Sequence, residues 1–354
     1  MYKLGIEALG ERALHRGIPL EGMFELTERC NLRCRFCYVC DRSAGIRQET
    51  EKTAREWLQM IRQAVDSGML TCTFTGGEPF IREDFEEIYC KAYDMGLRLI
   101  VFTNATLIGE REIAFLSKRK PDYLSISLYG ATEESYRELC GTGGGFHRVA
   151  EAIDLLLGAG LNVELKTLAL HPLLHEYEAI GQFAAEHHCP VKIDVYLGPC
   201  RDDPQLLLDK WRIPASKVRF VLDSLKNGYD HPLKHANGEI HHAPGPQASI
   251  PAIPCMAGRR NFMITHDGRM LGCPTLTEFE TYPFTQGFQT AWVQLREMVQ
   301  HAPCCLDCAT CPDFEACYLC PANRMKETGS IALCSAYLRD LAHALLLYTK
   351  DNVG

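Results

Sequence analysis

The sequence predicts an α/β fold, a partial (β/α)6 barrel followed by a small cysteine-rich domain, and three observations carry that prediction. Between residues 23 and 198, short apolar runs alternate with amphipathic stretches, the pattern of β/α units around a parallel sheet. Six such units fit the span, short of the ~250 residues of a closed eight-fold barrel. Eighteen cysteines in 354 residues are too few for a disulfide scaffold and too many for incidental use in a reducing compartment, so metal ligation leads.

Taken in order, strands are expected at 23–28, 70–76, 98–104, 122–129, 162–169 and 191–197, with helical periodicity at 53–67, 84–95, 110–118, 146–159 and 174–188. In the fourth strand Leu124, Ile126 and Leu128 alternate with Ser125, Ser127 and Tyr129. In the fifth and sixth, Val163, Leu165, Thr167, Ile193 and Val195 alternate with Glu164, Lys166, Lys192, Asp194 and Tyr196. The apolar rows should pack under the helices and leave a polar interior, which suits a wide barrel that holds a ligand. A helix at 214–227 precedes a Pro-, Gly- and His-rich linker over 229–254, whose His241 and His242 read as a solvated loop. The stretch 255–334 shows little periodicity and is expected to fold around metal, and an amphipathic helix closes the chain over 335–354. The first domain then covers 1–228, including an N-terminal extension.

Hydrophobic residues at 46% and charged residues at 23% are ordinary for a soluble globular protein. The longest purely apolar run near an end, Ala344 to Leu347, is far short of the ~20 residues of a membrane span, and the N-terminus has no secretory apolar region. A cytoplasmic protein is expected. A net charge of -8 lacks the basic footprint of a nucleic-acid binder.

The first cysteine group, Cys30-Asn-Leu-Arg-Cys34-Arg-Phe-Cys37, directly follows the first strand. Three thiolates leave one iron of a [4Fe–4S] cube uncovered. Cys40 is a candidate for that corner, and a structural zinc site is the plainer alternative. Thr75-Gly76-Gly77-Glu78-Pro79 ends the second strand, with two glycines for close backbone approach and a carboxylate beside them. Cys30, Gly77, Asn104, Ser127 and Lys166 all fall at or near the C-terminal ends of successive strands, the rim where barrel enzymes assemble their sites.

CNLRCRFC together with TGGEP, TNAT and SISLYG resembles the radical S-adenosylmethionine (radical SAM) superfamily over most of residues 20–200. The resemblance implies a TIM-like partial barrel in which Cys30, Cys34 and Cys37 hold a [4Fe–4S] cluster that chelates S-adenosylmethionine. By position, it places Gly76, Gly77 and Glu78, with Pro79 completing the motif, at the methionine amino group and Phe36 by the adenine. Asn104 and Ser127 would reach the ribose or carboxylate, and Lys166 the carboxylate. It also implies a low-potential reductant such as flavodoxin or ferredoxin, and a 5′-deoxyadenosyl radical that abstracts a substrate hydrogen.

In the second group, Cys255 is followed after twelve residues by Gly268 and after four more by Cys273. Cys308-x2-Cys311-x5-Cys317-x2-Cys320 and, thirteen residues on, Cys334 complete it. One zinc ion uses only four ligands, so seven thiols point to more than one centre. The pattern resembles the SPASM domain, which implies two auxiliary clusters and three [4Fe–4S] clusters in all. Cys255, Cys273 and Cys320 would ligate the first, and Cys308, Cys311, Cys317 and Cys334 the second. The spacing before Cys320 is one residue shorter than usual and no cysteine lies between Cys255 and Cys273. The first auxiliary cluster would therefore add Cys304 or, by slight preference, Cys305, or stay open to substrate; spare thiols are the equal alternative.

Among the other cysteines, Cys140 and Cys200 are candidate hydrogen-atom donors, and those at 72, 90 and 189 read as core or loop residues. Asp194, with Glu164 and Tyr196, is a candidate for substrate contact. The resemblance implies an enzyme that modifies a ribosomally made peptide or protein by a thioether, a carbon–carbon link or a related oxidation. Too few residues precede Cys30 for a leader-binding domain, so a separate leader-binding protein is expected. The alternatives are sulfatase maturation, a small-metabolite or tetrapyrrole reaction and, outside enzymes, an iron–sulfur electron carrier or a zinc-binding interaction module.

Overall fold

A computed structural model of the chain describes residues 2–39, 51–201, 208, 210–225, 253, 255–314, 317 and 320–352. Nine strands form one sheet in the order β6-β5-β4-β3-β2-β1-β7-β8-β9. The first six are β1 (Glu21–Glu25), β2 (Thr71–Thr75), β3 (Arg98–Thr103), β4 (Tyr123–Ser127), β5 (Val163–Leu168) and β6 (Val191–Asp194). All pair in parallel with their sequence neighbours, so every C-terminal strand end opens on one rim.

Helices cross between them: α2 (Ala54–Asp66), α3 (Phe85–Asp94), α4 (Glu110–Lys118), α5 (Glu133–Cys140), α6 (Gly145–Gly158) and α7 (Tyr177–Glu186), after an N-terminal α1 (Tyr2–Arg16). Helix α2 shows why these segments form. Thr53 and Glu56 make a reciprocal capping box, and Trp57, Met60, Ile61 and Ala64 fall at helical spacing and are buried. The expected alternation holds in β5 and β6, whereas in β4 Ser125 is buried along with its apolar neighbours. Leu124, Ile126, Val163, Leu165, Val191 and Ile193 are buried, while the intervening Lys166 and Asp194 are exposed and Glu164 and Lys192 half-buried. Helix α5 escaped the periodicity because it is one residue over two turns long; Thr132 caps its start and Gly141, at φ 69°, its end.

The cysteine-rich stretch carries more regular structure than its sequence suggested. Strand β7 (Asn261–Ile264) joins the sheet in parallel beside β1, and β8 (Met270–Cys273) and β9 (Leu276–Thr281) follow antiparallel. The β7–β8 hairpin turns through His266-Asp267-Gly268, where Gly268 takes φ 92°, an Asp-Gly signal that marks a turn. Short, buried Phe262, Met263 and Ile264 carry no polar alternation because both faces of β7 are covered. Helices α9 (Pro283–Gln286), α10 (Phe288–Gln300) and α11 (Pro321–Thr328) complete the region, and α12 (Ala336–Asn352) closes it.

The helix expected at 214–227 is a 3-10 turn, Ala215–Lys217, running into α8 (Val218–Ser224). Cys40, His241, His242 and all of the 229–254 linker except Ile253 lie outside the described residues. Among the described residues no helix is long and apolar enough to cross a membrane.

Candidate radical site and thiol clusters

The first thiol group sits on the loop that leaves β1. Leu32 and Phe36 are 3% and 4% exposed and pin this loop in the core, while Cys30, Cys34 and Cys37 between them remain half-buried. Backbone amides of Arg33 and Arg35 donate to the carbonyls of Cys140 and Leu139, 2.8 and 3.0 Å away, which fastens the loop to the end of α5. Phe36 meets Tyr129 edge to face, with ring centroids 4.8 Å apart.

Asn104 is the hub of the rim. Its side-chain amide donates to Asn31 at 3.0 Å and lies 3.6 Å from the Cys30 sulfur, which the Leu32 amide also approaches at 3.4 Å. Asn31 in turn donates to Thr106 at 2.7 Å. N–H groups aimed at a sulfur stabilise it as a thiolate, so this loop fits an iron–sulfur ligand set. Ala105 beside Asn104 takes φ 60°, a left-handed conformation that a residue with a side chain rarely adopts.

The Gly-Gly-Glu-Pro turn also packs on the root of the thiol loop. A Cβ on Gly76 would come within 2.6 Å of the Thr27 carbonyl, and one on Gly77 within 2.3 Å of the Arg29 carbonyl. The glycines are thus required by the root of the thiol loop itself; the Gly77 and Glu78 amides donate there at 2.7 and 2.8 Å. The Glu78 side chain is fully buried and accepts from Thr103 Oγ1 at 2.8 Å, Asn104 N at 2.7 Å and Phe80 N at 3.2 Å. Burial pushes its carboxyl up to about 7 against the opposing pull of those donors. Its carboxylate is spent on placing Asn104.

Ser127 lies at the end of β4 opposite Lys166 of β5, whose ammonium sits 5.7 Å from the Phe102 ring centroid. Asp194, one strand further, faces that lysine. Burial pushes its carboxyl up while Lys166 pulls it down, although the side chain keeps solvent access from the barrel interior.

Two candidate hydrogen donors do not reach this space. Cys140 is fully buried at the end of α5, beneath the thiol loop, among Tyr136 and Leu139. Cys200 is buried and disulfide-bonded and so has no thiol to give.

Several residues that hold the site escaped the sequence reading. Arg82 donates to the Leu26 carbonyl at 2.9 Å and reaches Glu51 at 3.3 Å, and Arg29 pairs with Glu51 at 2.9 Å. Below them Glu25, at the end of β1, pairs with Arg201 at 3.0 and 2.5 Å and with His266 at 2.7 Å. A carboxylate between Phe24 and Leu26 in an apolar run was the available signal. On the other side, Tyr196 donates to Glu327 of α11 at 2.9 Å, and Arg212 stacks at 4.4 Å on Tyr337 of α12 while also pairing with Glu327.

The C-terminal thiols form two groups. Cys255, Cys273 and Cys320 lie near enough to perturb one another electrostatically. Cys305 and Cys308 are buried together, with Cys317 and Cys334 packed on them. The structure thus packs Cys305 with Cys308 rather than in the group of Cys255 and Cys273. Among the described residues no three His, Cys, Asp or Glu side chains converge as they would around one metal ion. A cubane has its own width and spreads its ligands further apart than a single ion does.

Six parallel β/α units thus place a three-thiol loop on their shared C-terminal rim. Residues 24–183 match the family model for the radical SAM superfamily. Over 150 residues it is 31% identical to the PqqA peptide cyclase of Granulibacter bethesdensis, covering 42% of this chain and 39% of that one. Over 169 residues it is 31% identical to the subtilosin biosynthesis protein AlbA of Bacillus subtilis, covering 47% and 36%. The chain thus spans well under half the length of these curated relatives. In fold it is similar to Streptococcus suis SuiB bound to precursor peptide SuiA, at TM-score 0.71 and 18% identity over 92% of this chain and 78% of that one. It is also similar to anSMEcpe with bound AdoMet and Cp18Cys peptide, at TM-score 0.70 and 17% identity over 95% and 98%.

Proposed function

We propose that the protein is a radical SAM maturase that acts on a ribosomally made peptide or protein, forming a thioether, a carbon–carbon link or a related oxidised product. The observation that carries the reading is the rim loop, with three half-buried thiols and the first sulfur already within reach of Asn104 and a backbone amide. In this reading Cys30, Cys34 and Cys37 hold the [4Fe–4S] cluster that binds S-adenosylmethionine, and the C-terminal thiols hold two more. When bound, these groups supply the radical that takes a substrate hydrogen.

The chain's own part is to fix the loop through Leu32 and Phe36 and to place Asn104 through Glu78. Gly76, Gly77 and Pro79 shape the turn under the ligand, and Phe36, Ser127 and Lys166 surround the nucleotide. Asp194, reached from the interior, is placed to contact the substrate. The names of PqqA peptide cyclase and the subtilosin protein, and the fold shared with a peptide-bound SuiB, support a peptide substrate. The functional division is 1–228 for radical initiation and 255–334 for the auxiliary clusters, with 229–254 as linker and 335–354 as closing helix. A separate leader-binding protein and a flavodoxin or ferredoxin complete the system, in the cytoplasm. A sulfatase-maturase-like reaction is the second reading, favoured by a fold match that runs nearly the full length of anSMEcpe.

The test is release of 5′-deoxyadenosine after dithionite reduction. Combined Cys30→Ala, Cys34→Ala and Cys37→Ala should abolish it while most auxiliary iron stays. Loss of all iron in that variant contradicts the two-module assignment, and a wild type that releases none returns the protein to the electron carriers. A mass spectrum of a co-expressed precursor peptide then separates a crosslink from oxidation of a single residue.

A further inference from the structure

The thiols between Cys304 and Cys334 do not sort as their spacing implies. Cys305 caps a five-residue 3-10 turn, Leu306–Thr310, and in such a turn side chains three residues apart eclipse. Cys308 therefore comes back over Cys305, and the two are buried in one cluster, with Cys317, Cys334 and Phe314 packed against them. Cys311 closes the turn with extended backbone, φ -73° and ψ 125°, so the stack ends there; it stays half-exposed and outside that packed group. Cys304 is exposed. Beside the stack lies a partly open pocket whose lining includes Cys308, Cys317, Cys320, Cys334 and Arg324. Arg324 is buried and puts a guanidinium nitrogen 3.8 Å from the Cys308 sulfur.

We infer that Cys305, Cys308, Cys317 and Cys334 are the four protein ligands of the second auxiliary cluster and that Cys311 ligates none. The inference rests on the proposal above that this region holds [4Fe–4S] clusters, and it names which thiols do so. Four thiolates close a cubane completely. The first auxiliary site is then left with Cys255, Cys273 and Cys320, and its fourth iron must take a ligand other than Cys305.

The test uses the full-length chain with Cys30, Cys34 and Cys37 all changed to alanine, reconstituted anaerobically with iron and sulfide. This parent should bind about eight iron and eight sulfide per chain, two cubanes. Adding Cys305→Ala should halve both and remove one of the two reduced-cluster electron paramagnetic resonance signals, as Cys308→Ala should. Adding Cys311→Ala should leave iron, sulfide and both signals unchanged. A loss caused by Cys311→Ala, or full retention in Cys305→Ala, overturns the assignment. Should Cys305→Ala fail to fold, alkylation of the loaded parent decides: Cys311 should take iodoacetamide while Cys305 reacts only after chelation strips the iron. The reverse order of protection overturns the assignment equally. A parent that binds no iron sinks the auxiliary-cluster reading itself, a result distinct from a wrong sorting of ligands.

Discussion

Glu78 looked from its sequence position like a ligand contact, and its geometry makes it a positioning residue. Three donors converge on a carboxylate with no solvent access, and the Asn104 amide is one of them. Burial holds its folded pKa near 7, above the ordinary 4.5, so the native state keeps the proton more tightly than the unfolded chain. Its contribution to stability is therefore complete below about pH 4.5 and is lost as pH rises through about 7. Glu78→Gln removes that titration and turns an N–H donor toward one of the three donors. The variant should be less stable than wild type by roughly 1–3 kcal/mol, with the deficit largest near pH 5 and smaller at pH 8. Urea unfolding at the two pH values reads this, and a deficit that grows with pH would show the carboxylate to be charged throughout. S-adenosylmethionine binding should weaken in parallel through Asn104. The sequence showed that residues 75 to 79 and Asn104 stand on one rim, because strand ends are legible from periodicity. It did not show that the two are bonded to each other, because a side chain's direction inside a turn leaves no periodic trace.

At the scale of elements, β1 is held at its C-terminal end by charge as well as by pairing. Glu25 reaches across to Arg201 in the segment after β6 and to His266 in the β7–β8 turn. Burial alone would raise its pKa, but hydrogen bonds from His266 and Arg201 outweigh that and hold it near 2. A depressed carboxyl contributes stability above its ordinary 4.5 and loses it as pH falls toward 2. His266 shifts the other way: burial lowers its pKa, its bond to Glu25 more than restores it, and its contribution fades as pH climbs past the ordinary 6.5. The junction should be strongest between about pH 4.5 and 6.5. Glu25→Gln leaves the Arg201 guanidinium buried without its charge partner, at a cost of about 3–5 kcal/mol. Paired with Arg201→Met it should cost less than Glu25→Gln alone, and a double-mutant cycle of urea midpoints measures the coupling. Additive losses would mean the two side chains stabilise separately. The six parallel strands were legible because each is a distinct apolar run between helices. The junction was not, because it joins residues 25, 201 and 266, and one sequence without relatives shows no coupling over such separations.

For the molecule as a whole, the composition shift near residue 229 suggested two bodies, yet the sheet runs across that boundary. Strand β7 pairs with β1 from Glu21↔Asn261 to Phe24↔Ile264, in mid-sheet. Phe262 packs edge to face on Phe24 at 5.8 Å, and Phe284 on Trp57 at 5.4 Å. Trp292 of α10 donates its indole N–H to the Gly17 carbonyl at 2.6 Å. The thiol loop springs from β1, so the rim that carries Cys30 is supported on one side by β2 and on the other by the cysteine-rich region. A chain ended after residue 254 would turn β1 into an unpaired edge and uncover Phe24 and Trp57, both fully buried in the whole protein. Exposed apolar edges of that kind aggregate. The truncated chain should collect in the insoluble fraction, or stay soluble with strong 8-anilinonaphthalene-1-sulfonate binding and fast amide exchange in β1, and it should fail to bind iron at Cys30, Cys34 and Cys37. A soluble truncation with slow exchange in β1 and one full cluster would show that the six-stranded part stands alone, and β7 would then be an attachment rather than a structural wall of the site.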